Sequence, residues 1–446
     1  MDIEEEVLVR IMPGADENKR IAEVVEKVKV NILESAGTLG VEVEPLLVGS
    51  VAKDTHLSNP DIDIFVLFPP STRRDELERY GLDIGKAVLD DFEERYAEHP
   101  YVRGTLDELS VEIVPCFRIE DPSQRMSAVD RTPFHTAYVI NHQNEGHKDQ
   151  IRLLKQFLKG IGIYGAEAEV EGFSGYLCEL LILYYGNFRN VVLNAKDWKK
   201  GTVIAFNEMA HGEFNESLVV IDPVDPGRNV ASALSEENFA LFIHACMEYH
   251  DNPKLEFFFP GDIVPENLED LRQKLEERGT CVLGISFPAP KTLSDILHSQ
   301  LRKAVRAIGK VCHMYGFGII GSMYFVDRGV LMLFEFEIFS LPTIKSHKGP
   351  PVWHPNAFDF REKWIAHEKV SSGPYIKNGN WYVDIEREFT NAKELIEAKL
   401  TSLNLGRHIN QSIMEGYGIL VNDELVQERF APWLTVFFNK KFRWEY

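Results

Sequence analysis

The tightest constraint in this chain is a spacing: Leu47-Val48-Gly49-Ser50, then ten residues, then Asp61-Ile62-Asp63-Ile64-Phe65. The first run reads as a short apolar strand that closes on Gly-Ser and opens a short helix. In the second, side chains two apart point the same way. Asp61 and Asp63 then project side by side about 7 Å apart, with Ile62 and Ile64 turned to the core. Two carboxylates at a strand end repel one another unless a cation lies between them. Hard oxygen ligands with room left for phosphate oxygens and water suit Mg²⁺. Gly49 lets backbone approach a phosphate, and the N–H groups at a helix start attract anions. Glu112, in Val111-Glu112-Ile113-Val114, adds a third acid on another strand framed by apolar neighbours. Asp-x-Asp alone is more often the polar side of a half-solvated strand. With Gly-Ser upstream and Glu112 downstream, the set meets the requirements of two-metal nucleotidyl transfer.

Around this motif the pattern alternates. Residues 18–36 carry Ile21, Val24, Val25, Val28 and Ile32 at helical spacing. Strands are expected at 45–48, 62–68, 101–105 and 110–117, with one long helix over 73–97. From 148 to about 250 the pattern is helical, and Ser174 caps the helix through Leu177, Leu180, Leu181 and Tyr184. Beyond Pro260 come a strand (280–287), a helix (293–315) and two strands (318–326, 330–339), the opening of a ferredoxin-like or RNA-recognition-type layer. The rest, from Lys345 on, is punctuated by Gly and Pro and then helical. A length of 446 residues is a prior of about three domains. The divisions fall at 1–137, an α/β catalytic head; 138–258, a helical middle; and 259–446, an α+β RNA-binding domain with a tail.

A net charge of −21 counts against a nucleic-acid partner on average, because phosphate binding rests on Lys and Arg. Basic residues nevertheless collect locally. Arg302, Arg306 and Lys310 are four apart and share one helical stripe beside Lys303, in a run (301–310) without an acid. Near the end, Lys440, Lys441 and Arg443 alternate with Phe437, Phe438, Phe442 and Trp444. That suits stacking and phosphate contact, and a packed terminal helix explains the aromatics equally well. A solvated face likewise explains the stripe. No apolar run nears the roughly 20 residues of a membrane span. The start, Met-Asp-Ile-Glu-Glu-Glu, is opposite in charge to a secretory signal. Five cysteines, far apart and without a Cys-x-x-Cys pair, point to a reducing cytoplasm. Oligomeric state is left open between a monomer and a homodimer.

The Gly-Ser turn followed by Asp-x-Asp resembles the head motif of the DNA polymerase β-like nucleotidyltransferase superfamily. Later motifs are more specific. Arg95-Tyr96-Ala97-Glu98-His99-Pro100-Tyr101, Ala128-Val129-Asp130-Arg131-Thr132-Pro133-Phe134-His135, Gly162-Ile163-Tyr164-Gly165 and Gly172-Phe173-Ser174-Gly175-Tyr176 resemble the archaeal (class I) CCA-adding enzyme family. Asp222-Pro223-Val224-Asp225 with Arg228-Asn229-Val230-Ala231, then Asn378-Gly379-Asn380-Trp381 and Leu405-Gly406-Arg407, extend the resemblance over nearly the whole chain. One departure is Glu112, where the family more usually has Asp.

The resemblance implies template-independent addition of CCA to the 3′ end of tRNA from CTP and ATP, with Asp61, Asp63 and Glu112 holding two Mg²⁺ ions. The partner it implies is the acceptor end and adjoining stem of tRNA, and no membrane. It places Gly49, Ser50, Lys53, Thr132, His135, Lys155 and Tyr164 around the triphosphate. Glu98 and His99 become a loop beside the incoming nucleotide, and Arg228 the reader of its base. Each has a plainer reading. His99 could cap a helix end, His135 could be a satisfied histidine, Lys155 could snorkel to solvent, and Arg228 could be an exposed turn residue. The nearest rival is a poly(A) or oligoadenylate polymerase; a more distant one is a catalytically silent RNA-binding protein.

Overall fold

The computed structural model describes residues 2–96, 99–206 and 214–446. The chain divides into two units, Met1–Asp262 with Phe442–Tyr446, and Ile263–Lys441.

In the first unit, α1 (Ile3–Ile11) precedes α2 (Ala15–Leu39), whose five spaced apolar residues are all buried. They pack on a sheet built from β1 (Glu44–Val48), β2 (Ile62–Phe68), β3 (Asp90–Tyr96), β4 (Pro100–Leu106) and β5 (Leu109–Phe117), in the order β1-β2-β5-β4-β3. The central pair β2–β5 is parallel and the other pairs are antiparallel. Period-2 alternation divides the sheet cleanly. Ile62, Ile64, Val66, Val111 and Ile113 join the core under α2, while Phe65, Leu67, Val114 and Cys116 form a smaller cluster with Val48 on the other face. Asp63 and Glu112 belong to that other face. Between β1 and β2 lies the four-residue α3 (Gly49–Ala52).

The long helix expected over 73–97 is instead a helix followed by a strand. The helix α4 (Arg74–Val88) stops where Leu89 turns extended, and β3 runs back antiparallel to β4. β3 is an edge strand with nearly every residue exposed. With no core face to fill, Asp-Asp-Phe-Glu-Glu-Arg-Tyr shows none of the apolar alternation that betrays a half-buried strand. Its charges pair along the edge, Glu93 with Arg95 and Glu94 with Lys86.

Helices α5 (Thr132–His142), α6 (Glu145–Ile161), α7 (Gly175–Tyr185), α8 (Phe188–Ala195) and α9 (Glu236–Asp251) follow, with a two-stranded parallel ribbon, β6 (Thr202–Ile204) and β7 (Leu218–Val220). Ser174 caps α7 by accepting from Leu177 N–H at 3.2 Å. α6 is the centre of this region. Its Phe157 lies within 6.4 Å (ring centroids) of Phe188, Phe242, Tyr249, Phe257 and Phe258. Trp444 stacks on Phe257 at 5.1 Å and donates to Glu248, so it is buried as a packing residue.

In the second unit, α10 (Leu268–Arg278), β8 (Cys281–Pro288), α11 (Ser294–Tyr315), β9 (Ile319–Val326) and β10 (Gly329–Phe336) give the expected strand-helix-strand-strand layer. A further sheet follows, with β11 (Ile344–Pro351), α12 (Ala357–Ile365), β12 (Val370–Lys377) and β13 (Asn380–Glu386). The chain then returns through α13 (Ala392–Lys399) and α14 (Arg407–Glu415) to β14 (Gly418–Val421) and ends in α15 (Ala431–Asn439). The main sheet runs β14-β8-β10-β9, antiparallel throughout. That is the 4-1-3-2 order of a ferredoxin-like layer interrupted by an insertion. The inserted sheet, β11-β13-β12, was not legible because prolines and register breaks (Lys348/Pro351, Ser372/Tyr375) replace its alternation. Among the described residues no helix is long and apolar enough to cross a membrane, and the five cysteines are free.

Phe157→Ala should cost about 3–5 kcal/mol, the range for emptying a fully packed aromatic site. Chemical unfolding followed by tryptophan fluorescence checks this; a loss under about 1 kcal/mol would show that the aromatic cluster closes over the gap.

Candidate active site

β2 and β5 run parallel with Asp63 in register with Glu112, and β4 sets Arg103 opposite Glu112 on the next strand. Three charged side chains therefore meet on the sheet face away from α2. Asp61 lies just before β2. Gly49, which follows β1, has φ +71°, and a Cβ there would overlap Asp63 Oδ2. Both the left-handed backbone and the approach of the carboxylate thus require glycine at the Gly-Ser turn.

The acids are crowded. Burial, then the charges of Glu112 and Asp61, push the Asp63 carboxyl up to about 7. Burial also raises Glu112; Arg103 opposes that rise and Asp61 adds to it. Arg103 went unnoticed in the sequence. It donates to Asp61 Oδ1 at 2.8 Å and stands 3.5 Å from Glu112 Oε1, bridging the two acids. Among the described residues no three His, Cys, Asp or Glu side chains are already gathered as a metal-binding group. The donors present are hard carboxylate oxygens with an unrelieved excess of negative charge at Asp63. They fit a hard divalent cation in an open site, where phosphate oxygens and water complete the ligand shell.

Opposite the acids the cleft turns basic. Lys53 Nζ donates to Glu179 Oε2 at 2.6 Å. Lys155 Nζ donates to Glu179 Oε1 at 3.2 Å and to the Thr55 carbonyl and hydroxyl at 3.1 and 3.0 Å. Lys53 and Lys155 are buried, so neither snorkels, and Glu179 is fully enclosed. Burial would raise Glu179, but the two ammonium groups overcome it and hold the carboxylate below its usual range. Burial draws Lys155 down, against the pull of Glu179.

Gly49, Ser50, Lys53, Asp61, Asp63, Glu112, Thr132, His135, Lys155 and Tyr164 line one cleft of about 440 Å³, together with Lys159, Tyr176 and Glu179. Lys159 sits 5.5 Å from the Tyr164 ring centroid. Arg228 is not on that lining. It donates to Asp222 Oδ2 at 2.9 Å, and the same oxygen takes His135 Nε2 at 2.9 Å. His99 also lies apart. It is buried, 3.2 Å from Glu78 Oε1 and edge-on to Phe117, and it follows a strand, so it caps no helix end. Glu98 falls outside the described residues.

In the second unit, Leu297, Leu301, Ala304, Ile308 and Cys312 bury one face of α11. Lys303, Arg306 and Lys310 are exposed, and Arg302 is half-buried near the Tyr324 hydroxyl. Lys440 lies 3.8 Å from the buried Glu335, and Lys441 is exposed. Arg443, in the first unit, lies across the Gly162 cap of α6.

A sheet that presents acids in register beside a turn too tight for any side chain is the head of a nucleotidyltransferase, and residues 30–135 match the nucleotidyltransferase domain family. Residues 149–259 match the second domain of tRNA nucleotidyltransferase, and residues 278–422 the C-terminal domain of CCA-adding enzyme. The CCA-adding enzyme of Methanosarcina barkeri is 40% identical over 423 residues, covering 93% of each chain. Those of Methanosarcina acetivorans and Archaeoglobus fulgidus are both 38% identical, over 98% and 96% of each chain. Among solved structures, the Cid1 poly(U) polymerase with Mg and 3′-dATP bound is 14% identical at a TM-score of 0.45, covering 56% of this chain and 92% of that one. The chain belongs to the CCA-adding enzyme family of nucleotidyltransferases, which use nucleotide substrates and a divalent metal.

With the Asp63 carboxyl pushed up to about 7, a divalent cation bound by it would displace its proton below that pH and not above it. Calorimetric titration with a divalent cation in buffers of different ionisation enthalpy should show close to one proton released at pH 6 and little at pH 8. Equal release at both would contradict the raised carboxyl.

Proposed function

We propose that this chain adds C, C and A to the 3′ end of tRNA from CTP and ATP, without a nucleic-acid template and with release of pyrophosphate. The observation that carries this reading is that relatives named CCA-adding enzyme align over 93% or more of their length. The acids and lysines expected of such an enzyme also line a single cleft.

Asp61, Asp63 and Glu112 would hold two Mg²⁺ ions, which supply charge neutralisation and a more acidic 3′-hydroxyl. Glu112, whose carboxyl burial raises, takes the hydroxyl proton. The tRNA O3′ forms a bond to the α-phosphorus as the bond to the β-phosphate oxygen breaks. Pyrophosphate leaves toward Ser50, Lys53, Lys155 and Tyr164, with Thr132 and His135 alongside. Little covalent chemistry falls to the protein, which positions the reactants and offsets charge. Arg228 presents a planar set of donors to the base edge. We read the first unit as a head (1–137) and a helical substrate domain (138–258), and 259–446 as the part that measures the tRNA duplex by shape. There the α11 stripe meets backbone phosphates. The helix and turn beside the inserted sheet add Phe358 and Trp353, 62% and 77% exposed, as stacking candidates that sequence reading overlooked.

The experiment is incubation of end-trimmed tRNA with all four nucleotides and Mg²⁺, followed by sequencing of the product. CCA is the expected addition, and a run of adenines would overturn the reading. Asp61→Ala and Asp63→Ala should each abolish addition while tRNA binding holds. Charge reversal at Arg302, Arg306 and Lys310 should flatten the salt dependence of tRNA affinity by close to one unit of slope per lost contact. An unchanged slope would make the stripe a solvated face.

A further inference from the structure

Asp222 is fully enclosed, and every group bonded to its carboxylate is a donor. Oδ1 accepts from Tyr176 O–H at 3.1 Å and Val224 N–H at 3.0 Å, and Oδ2 from His135 Nε2 and Arg228 Nη1, each at 2.9 Å. Burial alone would raise this carboxyl, but the donors hold it at about 2. Two of the donors, His135 and Tyr176, stack on each other at 4.2 Å and line the cleft; Arg228 does not. Among the described residues the Arg228 side chain hydrogen-bonds Asp222 alone, so this carboxylate is its link to the cleft.

We infer that Asp222 is a positioning residue for base choice, fixing the Arg228 guanidinium relative to the His135–Tyr176 pair so that base edge and triphosphate are met in one geometry. The inference rests on the reading of Arg228 as the base reader. Beyond the Val224 N–H, which an amide oxygen can also accept, the turn has backbone bonds of its own. Asp222 N–H donates to the Arg228 carbonyl at 3.1 Å, and Arg228 N–H to the Asp225 carbonyl at 2.9 Å. Asp225 is held from outside by Arg125 and Arg131, each at 2.8 Å. Asp222→Asn therefore changes an acceptor and leaves the backbone supported. An amide offers one oxygen and one NH₂ where four donors converge. If the NH₂ faces the Oδ2 side, His135 can answer it by changing tautomer and accepting, but a guanidinium has no acceptor and must withdraw. If it faces the Oδ1 side, the Val224 N–H is left opposite a donor and the amide turns back. Arg228 is the group released.

The test is competition among CTP, ATP, UTP and GTP on end-trimmed tRNA, read by product sequencing, for wild type, D222N, R228A and the double variant, with thermal unfolding alongside. D222N should lower discrimination against UTP and GTP about ten-fold, the scale of one net hydrogen bond lost. R228A should lower it by a similar factor, and the double variant no further, because Asp222 acts through Arg228. Discrimination retained by D222N while R228A loses it would overturn the inference, as would additive losses in the double variant. Discrimination retained by R228A would instead remove the base-reader reading, and the inference with it. Should D222N not fold, Asp222→Glu serves in its place: the extra methylene displaces Arg228 with charge retained, and discrimination falls about three-fold or more, whereas wild-type discrimination overturns the inference.

Discussion

The cleft depends on one buried carboxylate. Glu179, in the middle of α7, accepts from Lys53 after the Gly-Ser turn, from Lys155 on α6 and from the Thr55 hydroxyl. An unpaired buried ion in that interior would cost several kcal/mol. Shared between the two lysines, the Glu179 carboxylate offsets part of that cost and opposes the burial that draws Lys155 down. The same contact ties the turn after β1 to α6 and α7, so that the acids on the sheet and the lysines of that turn and of α6 line one cleft. Arg152 reinforces the tie by donating to the carbonyls of Asp54 and His56 at 2.8 and 2.9 Å.

Charge is thus arranged in opposition. On the sheet side, burial and then the charges of Glu112 and Asp61 push Asp63 up to about 7, with Arg103 bridging Asp61 and Glu112. Across the cleft, one cation from the turn after β1 and one from α6 are locked to one anion. Such an arrangement does little for stability by itself. Its value lies in being set before substrate arrives, because preorganised charge costs no rearrangement during reaction.

The parts of this site legible in the sequence obey local rules. Strand alternation puts Asp63 opposite the core, a lysine among leucines on α6 signals an unusual environment, and Gly-Ser after an apolar run signals a turn. The partners that organise those residues were not legible. Glu179 is a lone charge within the apolar α7, and its lysines lie 126 and 24 positions away. Arg103 and Asp222 are defined by register and by a turn meeting α5, which no local pattern encodes. The same limit explains β3, whose two solvated faces removed the alternation, and His99, whose neighbour Glu78 comes from α4.

Glu179 is the carboxylate that two buried lysines cannot do without. Equilibrium unfolding of Glu179→Gln in chemical denaturant, against wild type at neutral pH, tests this directly. The expected result is a loss of about 3–5 kcal/mol, the cost of stranding a buried charge. A loss within about 1 kcal/mol would contradict it, because the lysines would then be shown to reach solvent or another partner without Glu179.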